Sequence, residues 1–191
     1  SFVYLIRKRF YRARFGERRR MRVPRTGYTR PGRVVGHTRQ GQTLTIACAD
    51  GTYVLTMLAP DLVRVRLLPS REPVDRRIHR SYSIAKIDVE WPPCDFEVTE
   101  TEAVLEIETA RLVCRIAKDI GHLTFLDRLG NVISEDEAGG GWHRRGAVIC
   151  RKHIQPGEHF YGLGERTFGL DLRGRRYGMW NTDPRTYRLG Q

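Results

Sequence analysis

From Thr43 onward the chain is written in short β-prone runs separated by turn residues, with almost no helical periodicity after residue 42. No other feature restricts the fold class as strongly. Thr43–Cys48 leads through Ala49-Asp50-Gly51 into Thr52–Leu58, and an Asp-Gly pair between two apolar runs is a hairpin signal. Leu62–Leu68 alternates, which puts Arg64 and Arg66 on one face, read as solvated. Further strands are expected over 83–91, 96–99, 103–109, 111–117, 123–126, 132–133, 147–154 and 160–164, with a tight turn at Asp127–Asn131. Glu135–Gly141 reads as a polar, glycine-rich, solvated loop. Its three carboxylates are not set in a calcium-loop pattern. At 191 residues and 40 % apolar the chain can bury one substantial core. Together these readings predict an all-β fold, a large antiparallel β-sandwich. They exclude most nucleotide-binding folds, because Gly162-Leu163-Gly164 and the glycines near residue 140 lack the spacing and the strand-to-helix setting of a phosphate loop.

The formal charge of +12 suggests nucleic acid until it is divided along the chain. Residues 1–40 carry 13 Lys/Arg against one acidic residue, whereas residues 41–191 carry 21 of each. The charge therefore belongs to an arm and says little about the folded body. Phe2, Ile6, Phe10 and Ala13 recur at about the helical period within residues 1–22, which suits a basic helix docked on its own protein. A disordered or processed leader and contact with a polyanion or an anionic membrane are the lesser readings, and nucleic-acid binding by the arm is disfavoured. Residues 23–42, rich in Pro and Gly, read as an irregular connector. The organisation expected is an extension and connector over 1–42 and a β-sandwich domain over 43–191.

Cys48, Cys94, Cys114 and Cys150 form no CxxC pair and no short Cys/His spacing, so the sequence proposes no metal site and no cofactor. Buried free thiols in a reducing compartment are the expectation. No apolar run reaches the length of a membrane span, and Phe2–Ile6 precedes its arginines rather than following them, unlike a signal peptide. A cytoplasmic location is expected.

The last thirty residues mix Tyr161, Tyr177, Trp180 and Tyr187 with Arg166, Arg173, Arg175, Arg176, Asp171 and Asp183. Aromatic planes beside fixed hydrogen-bonding groups are what a sugar ring requires. Filling a junction with a neighbouring domain is the competing reading for Met179 and Trp180. Glu165 and Arg166 can form an ion pair that pins the loop. Pro184 restricts the backbone of Asp183 and can fix its carboxylate outward.

Over residues 43–191, Tyr161-Gly-Leu-Gly-Glu165 and Arg173-Gly-Arg-Arg-Tyr-Gly-Met-Trp-Asn-Thr-Asp183, with Val63-Arg-Val-Arg66 and Tyr187, resemble glycoside hydrolase family 31, the α-glucosidase and α-xylosidase family. The resemblance implies a galactose-mutarotase-like β-sandwich packed on a catalytic (β/α)8 barrel of the same polypeptide, with a loop reaching the barrel's mouth. It implies that Asp183 hydrogen-bonds the hydroxyls of an oligo- or disaccharide substrate, that Asn181 braces the loop and Trp180 anchors it, and that Arg173 supports it. Pro184 and Arg185 stand where some relatives carry small hydroxyl residues, a departure on that side of the sugar. The family's retaining mechanism needs a nucleophilic carboxylate and an acid/base carboxylate about 5–5.5 Å apart. The resemblance places both beyond Gln191, so residues 1–191 alone are expected to be inactive. The alternative function is a free-standing carbohydrate-binding or structural β-sandwich.

Overall fold

The computed structural model describes residues 26–69, 86–87, 90–144, 146–162 and 169–176. The chain divides into two units, Ser1–Lys152 and His153–Gln191. The expected basic helix over 1–22 lies outside the described residues, as do positions 83–85, 88–89 and 163–164 of two expected strands.

Among the described residues every regular strand lies in the first unit, where antiparallel pairing builds two sheets. The smaller is a meander of β2 (Val34–Gln40), β3 (Thr43–Cys48), β4 (Gly51–Ala59) and β5 (Leu62–Pro69) in that order. The larger runs β1 (Tyr28–Thr29), β10 (Val132–His143), β9 (His122–Asp127), β8 (Leu112–Ala117), β7 (Val104–Glu108), β6 (Glu97–Glu100), with β11 (Val148–Lys152) also paired to β10. Alternation explains the layering. Leu44 and Ile46 of β3 and Tyr53, Leu55 and Met57 of β4 face Leu105 and Ile107 of β7, Cys114 and Ile116 of β8 and Leu123 of β9 in one core. Each large aliphatic side chain so enclosed stabilises the fold by about 1.5–3 kcal/mol. The architecture is the β-sandwich that the strand pattern predicts. No described helix is long and apolar enough to cross a membrane.

Two features close the sandwich along its β2/β6 side. The Arg39 guanidinium lies 3.9 Å above the centre of the Phe96 ring and donates to the Phe96 carbonyl at 2.9 Å. His37 Nδ1 stands 3.6 Å from a Glu100 carboxylate oxygen. A third tie joins two turns, where the hydroxyl of the buried Thr109 lies within hydrogen-bond reach of the Pro60 carbonyl and accepts the Leu112 N–H at 2.9 Å. Among the described residues the opposite side, between β5 and β10–β11, is a cleft of about 1040 Å³.

Several expectations are corrected. The 23–42 stretch contributes β1 and β2, because Val34 to Gln40 find ladder partners from Cys48 to Thr43. Arg64 and Arg66 are half-buried, and the exposed positions of β5 are Leu62 and Val65, which turn toward the open cleft. Cys48, Cys94 and Cys114 are free and buried, whereas Cys150 is free but exposed on β11, a marginal strand paired only with β10 among the described residues. Burial pushes the Cys48 thiol up to about 11 and the Cys114 thiol up to about 12.

The Glu135–Gly141 stretch is strand, not loop. Its glycines permit close approach: a Cβ on Gly141 would stand 2.7 Å from the Thr29 carbonyl oxygen of β1. Asp136 is buried rather than solvated. One of its oxygens accepts the Leu123 N–H at 3.0 Å and the other pairs with Lys152 Nζ at 2.5 Å. It sits where β10 passes from pairing with β9 to pairing with β11 across a bulge, so the carboxylate supplies an acceptor where the ladder changes partner.

Candidate functional site

The residues singled out by sequence fall in the second unit. Asp183, Asn181 and Trp180 lie outside the described residues, as do Glu165 and Arg166, and Arg173 lies within them. What the structure describes is the base of the segment that leads toward Asp183.

That base is organised around two short-range devices. Pro156-Gly157 turns the chain, and the turn is closed twice: the Gln155 N–H donates to the Glu158 carboxylate at 2.9 Å and the Glu158 N–H donates to the Gln155 carbonyl at 3.1 Å. Twelve residues after His159 comes the hub, Asp171. Its Oδ1 accepts the Arg173 N–H at 3.0 Å and the Phe160 N–H at 3.4 Å, while Oδ2 lies 2.7 Å from His159 Nδ1. The N–H of Leu172, itself buried, donates to the Phe160 carbonyl at 2.8 Å. These bonds explain why Phe160–Gly162, expected as strand, carries no sheet pairing: a side-chain carboxylate occupies the place of a ladder acceptor.

The Arg173 guanidinium closes the assembly by donating to the Gln155 carbonyl at 3.1 Å and to the Glu158 carbonyl. Both ends of the segment are thereby tied, Asp171 to the strand-like run and Arg173 to the turn before it.

The electrostatics follow from the bonding. The Arg173 N–H and then the His159 ring hold the Asp171 carboxyl down at about 2. An ionised carboxylate only accepts, so the proton between the two side chains sits on His159 Nδ1. The imidazole ring centroid lies 6.3 Å from that of Tyr161, with the planes inclined by 27°. Tyr161 is 60 % exposed. The sequence places Asp171 among the possible ligand groups, but the loop itself consumes it, and no sequence signal marks His159. The i to i+2 spacing of Asp171 and Arg173, typical of an Asx turn, was the available signal for the first. The partnership with His159 spans twelve residues and has no local signature. Among the described residues no group of His, Cys, Asp and Glu is arranged to hold a metal ion.

Residues 52–190 match the family model of the glycosyl hydrolase 31 N-terminal galactose mutarotase-like domain. Alpha-glucosidase 2 of Bacillus thermoamyloliquefaciens is 30 % identical over 137 residues, which are 71 % of this chain and 17 % of that protein. The GH31 dextranase of Flavobacterium johnsoniae, solved with glucose, superposes with a TM-score of 0.71 at 25 % identity, over 82 % of this chain and 19 % of its own. The GH31 α-xylosidase of Xanthomonas citri shares the fold, with a TM-score of 0.52 at 19 % identity over 78 % of this chain and 16 % of its own. This chain therefore spans less than a fifth of the length of each of these relatives. The chain belongs to glycoside hydrolase family 31, as its N-terminal galactose mutarotase-like domain.

Proposed function

We propose that this domain is the front of a longer retaining α-glycosidase, that it packs on a catalytic (β/α)8 barrel of the same polypeptide, and that it lends the active site a loop carrying Asp183. The observation that carries the reading is the continuous family match from residue 52 to residue 190, which runs through the Arg173–Asp183 motif. The Asp171 and Arg173 ties support it, since a loop that must place one carboxylate against a sugar needs a base that does not move. Asp183 acts by positioning. Its hydrogen bonds to sugar hydroxyls accelerate hydrolysis to the extent that they strengthen as the ring distorts toward the transition state. The nucleophile and the acid/base carboxylate belong to the barrel, at its strand ends and loops, and residues 1–191 alone hydrolyse nothing. The substrate class is α-glycosides of the kind an α-glucosidase cleaves, in line with the alpha-glucosidase among the relatives. Free cysteines suit a reducing, cytoplasmic compartment.

The test is Asp183→Ala in the full-length enzyme, assayed on a panel of nitrophenyl α-glycosides. kcat/KM is expected to fall at least about tenfold, equivalent to about 1.4 kcal/mol. An unchanged kcat/KM removes Asp183 from the substrate site, and a reading frame that ends near Gln191 removes the enzyme reading altogether.

A further inference from the structure

The open side of the sandwich is unlike its other margins. The cleft between β5 and β10–β11 is about 1040 Å³ and its rim carries Leu62 at 41 % exposure, Val65 at 37 %, Ile133 at 55 % and Val148 at 79 %. These aliphatic residues come from three strands of two different sheets yet share one concavity, whereas the β2/β6 side is closed by Arg39 and His37. An apolar rim around a cavity this large marks a surface that another apolar surface covers.

The chemistry of the cleft selects the kind of occupant. A sugar needs free hydrogen-bonding groups arrayed around its hydroxyls. Here the wall is mainly apolar, and its carboxylates are already engaged, Asp136 by Lys152 at 2.5 Å and Asp61 by Arg111 at 2.8 Å, with His143 and Arg144 as the other basic groups of the lining. Such a cleft accepts aliphatic and aromatic side chains and offers a saccharide little. The length of the relatives supplies the candidate: more than four-fifths of each lies outside the part this chain matches.

We propose that the β5/β10–β11 cleft is the seat on which the remainder of the polypeptide docks, through apolar side chains inserted between Leu62 and Val65 on one wall and Ile133 and Val148 on the other. This rests on the reading of the chain as the front domain of a longer enzyme and specifies which face makes the junction. The exposed free thiol of Cys150 lines the same cleft, while the other three cysteines are buried in the core, so the protein carries its own reporter of coverage.

The experiment uses the full-length polypeptide. Maleimide labelling of Cys150 is followed by peptide mapping, and α-glycoside turnover is measured on the same sample. Labelling of the folded protein is expected to run at least about tenfold slower than in urea, where coverage is lost, and Val148→Asp is expected to restore at least half of the lost rate while far-UV circular dichroism stays native. Turnover with Cys150 labelled as fast as in urea overturns the seat and leaves the enzyme reading intact. Protected Cys150 without turnover on any α-glycoside upholds the seat and counts against the proposed activity. Protection that is unchanged by Val148→Asp, or that vanishes on dilution as the protein turns from dimer to monomer, also overturns the seat, the latter by assigning the cleft to a second copy of the chain.

Discussion

Asp136 gives a sharp test of how this sandwich is held at its open side. Its side chain is 2 % exposed, that of Lys152 is 38 % exposed, and the two meet at 2.5 Å. The asymmetry decides the magnitudes. Asp136→Ala leaves Lys152 free to turn into water at little cost, but strands the Leu123 N–H, which lost its acceptor at 3.0 Å; an unsatisfied buried donor costs about 1–3 kcal/mol. Asp136→Asn keeps an acceptor for Leu123 and gives up only the charge-assisted bond, so about 1–2 kcal/mol is expected. Lys152→Met leaves a carboxylate in the interior without its counter-ion, and breaking a buried pair from that end costs about 3–5 kcal/mol. The lysine, although the more exposed partner, is therefore the more expensive one to remove. In the Asp136→Ala, Lys152→Met double variant there is no carboxylate left to strand, so its loss returns to about that of Asp136→Ala alone. Urea unfolding of the 191-residue chain followed by far-UV circular dichroism reads all four. A cost for Lys152→Met below about 0.5 kcal/mol, or strict additivity in the double variant, would show that water reaches the carboxylate and refute the reasoning.

Other consequences are equally open to measurement. Thr109→Val keeps shape but removes the acceptor for the Leu112 N–H and the tie to Pro60, so a loss of about 1–3 kcal/mol is expected in the same unfolding assay, with Thr109→Ser recovering most of it. A Cβ at Gly51 would meet Trp142 Cη2 at 2.7 Å and the Leu68 carbonyl at 3.0 Å; Gly51→Ala should cost about 1–3 kcal/mol, and combining it with Trp142→Leu should recover part of that if the ring is the main obstacle. Because the folded-state value of Asp171 is depressed to about 2 from an ordinary 3.8, its stabilisation of the hub is complete above the unfolded value and drains away as pH falls from about 4 through 2. The carboxyl carbon shift of Asp171 should titrate near 2, and a midpoint near 4 would mean that the Arg173 N–H and His159 do not hold it. The Cys48 and Cys114 thiols, pushed up to about 11 and about 12, should resist iodoacetamide at pH 8 until the chain unfolds, as read by peptide mapping.

How far the sequence reveals the fold depends on whether the deciding interaction is local. The β3–β4 hairpin, the alternating strands β7 and β8 and the Asp127–Asn131 turn are all legible, since side-chain alternation and turn chemistry act over a few residues. In that turn Asp127 accepts the N–H groups of Leu129 and Asn131 at 2.8 and 2.9 Å. Strand β10 is not legible. Glu135-Asp136-Glu137 followed by glycines has low strand propensity, and it is strand because distant partners need its shape: β1 needs the missing side chain of Gly141, and Leu123 and Lys152 need the carboxylate of Asp136. β2 was hidden for the same reason, since its partners in β3 are what turn a Gly-containing polar run into an edge strand. At the candidate site, residue types and motif were visible in Arg173 and Asp171, but the bond from Asp171 to His159 was not, because nothing local encodes a contact twelve positions apart.

Several carboxylates of the described residues share a use that bears on the proposed activity. Asp127 and Asp171 are half-exposed and need no buried counter-ion, because water and backbone N–H groups solvate them together. Asp136, away from water, requires Lys152. Glu100, beside Lys118, Asp127, bonded by the Asn131 side chain, and Asp171, bonded by the Arg173 N–H, are all held below the ordinary carboxylate range. A general acid for glycoside cleavage needs the opposite perturbation, a carboxyl pushed upward so that it still carries its proton near neutral pH. Hydrogen-bond donors that stabilise the ionised form therefore make these three good struts and poor acids. That physical reason, independent of any family likeness, directs the search for the proton donor of the proposed activity away from these three.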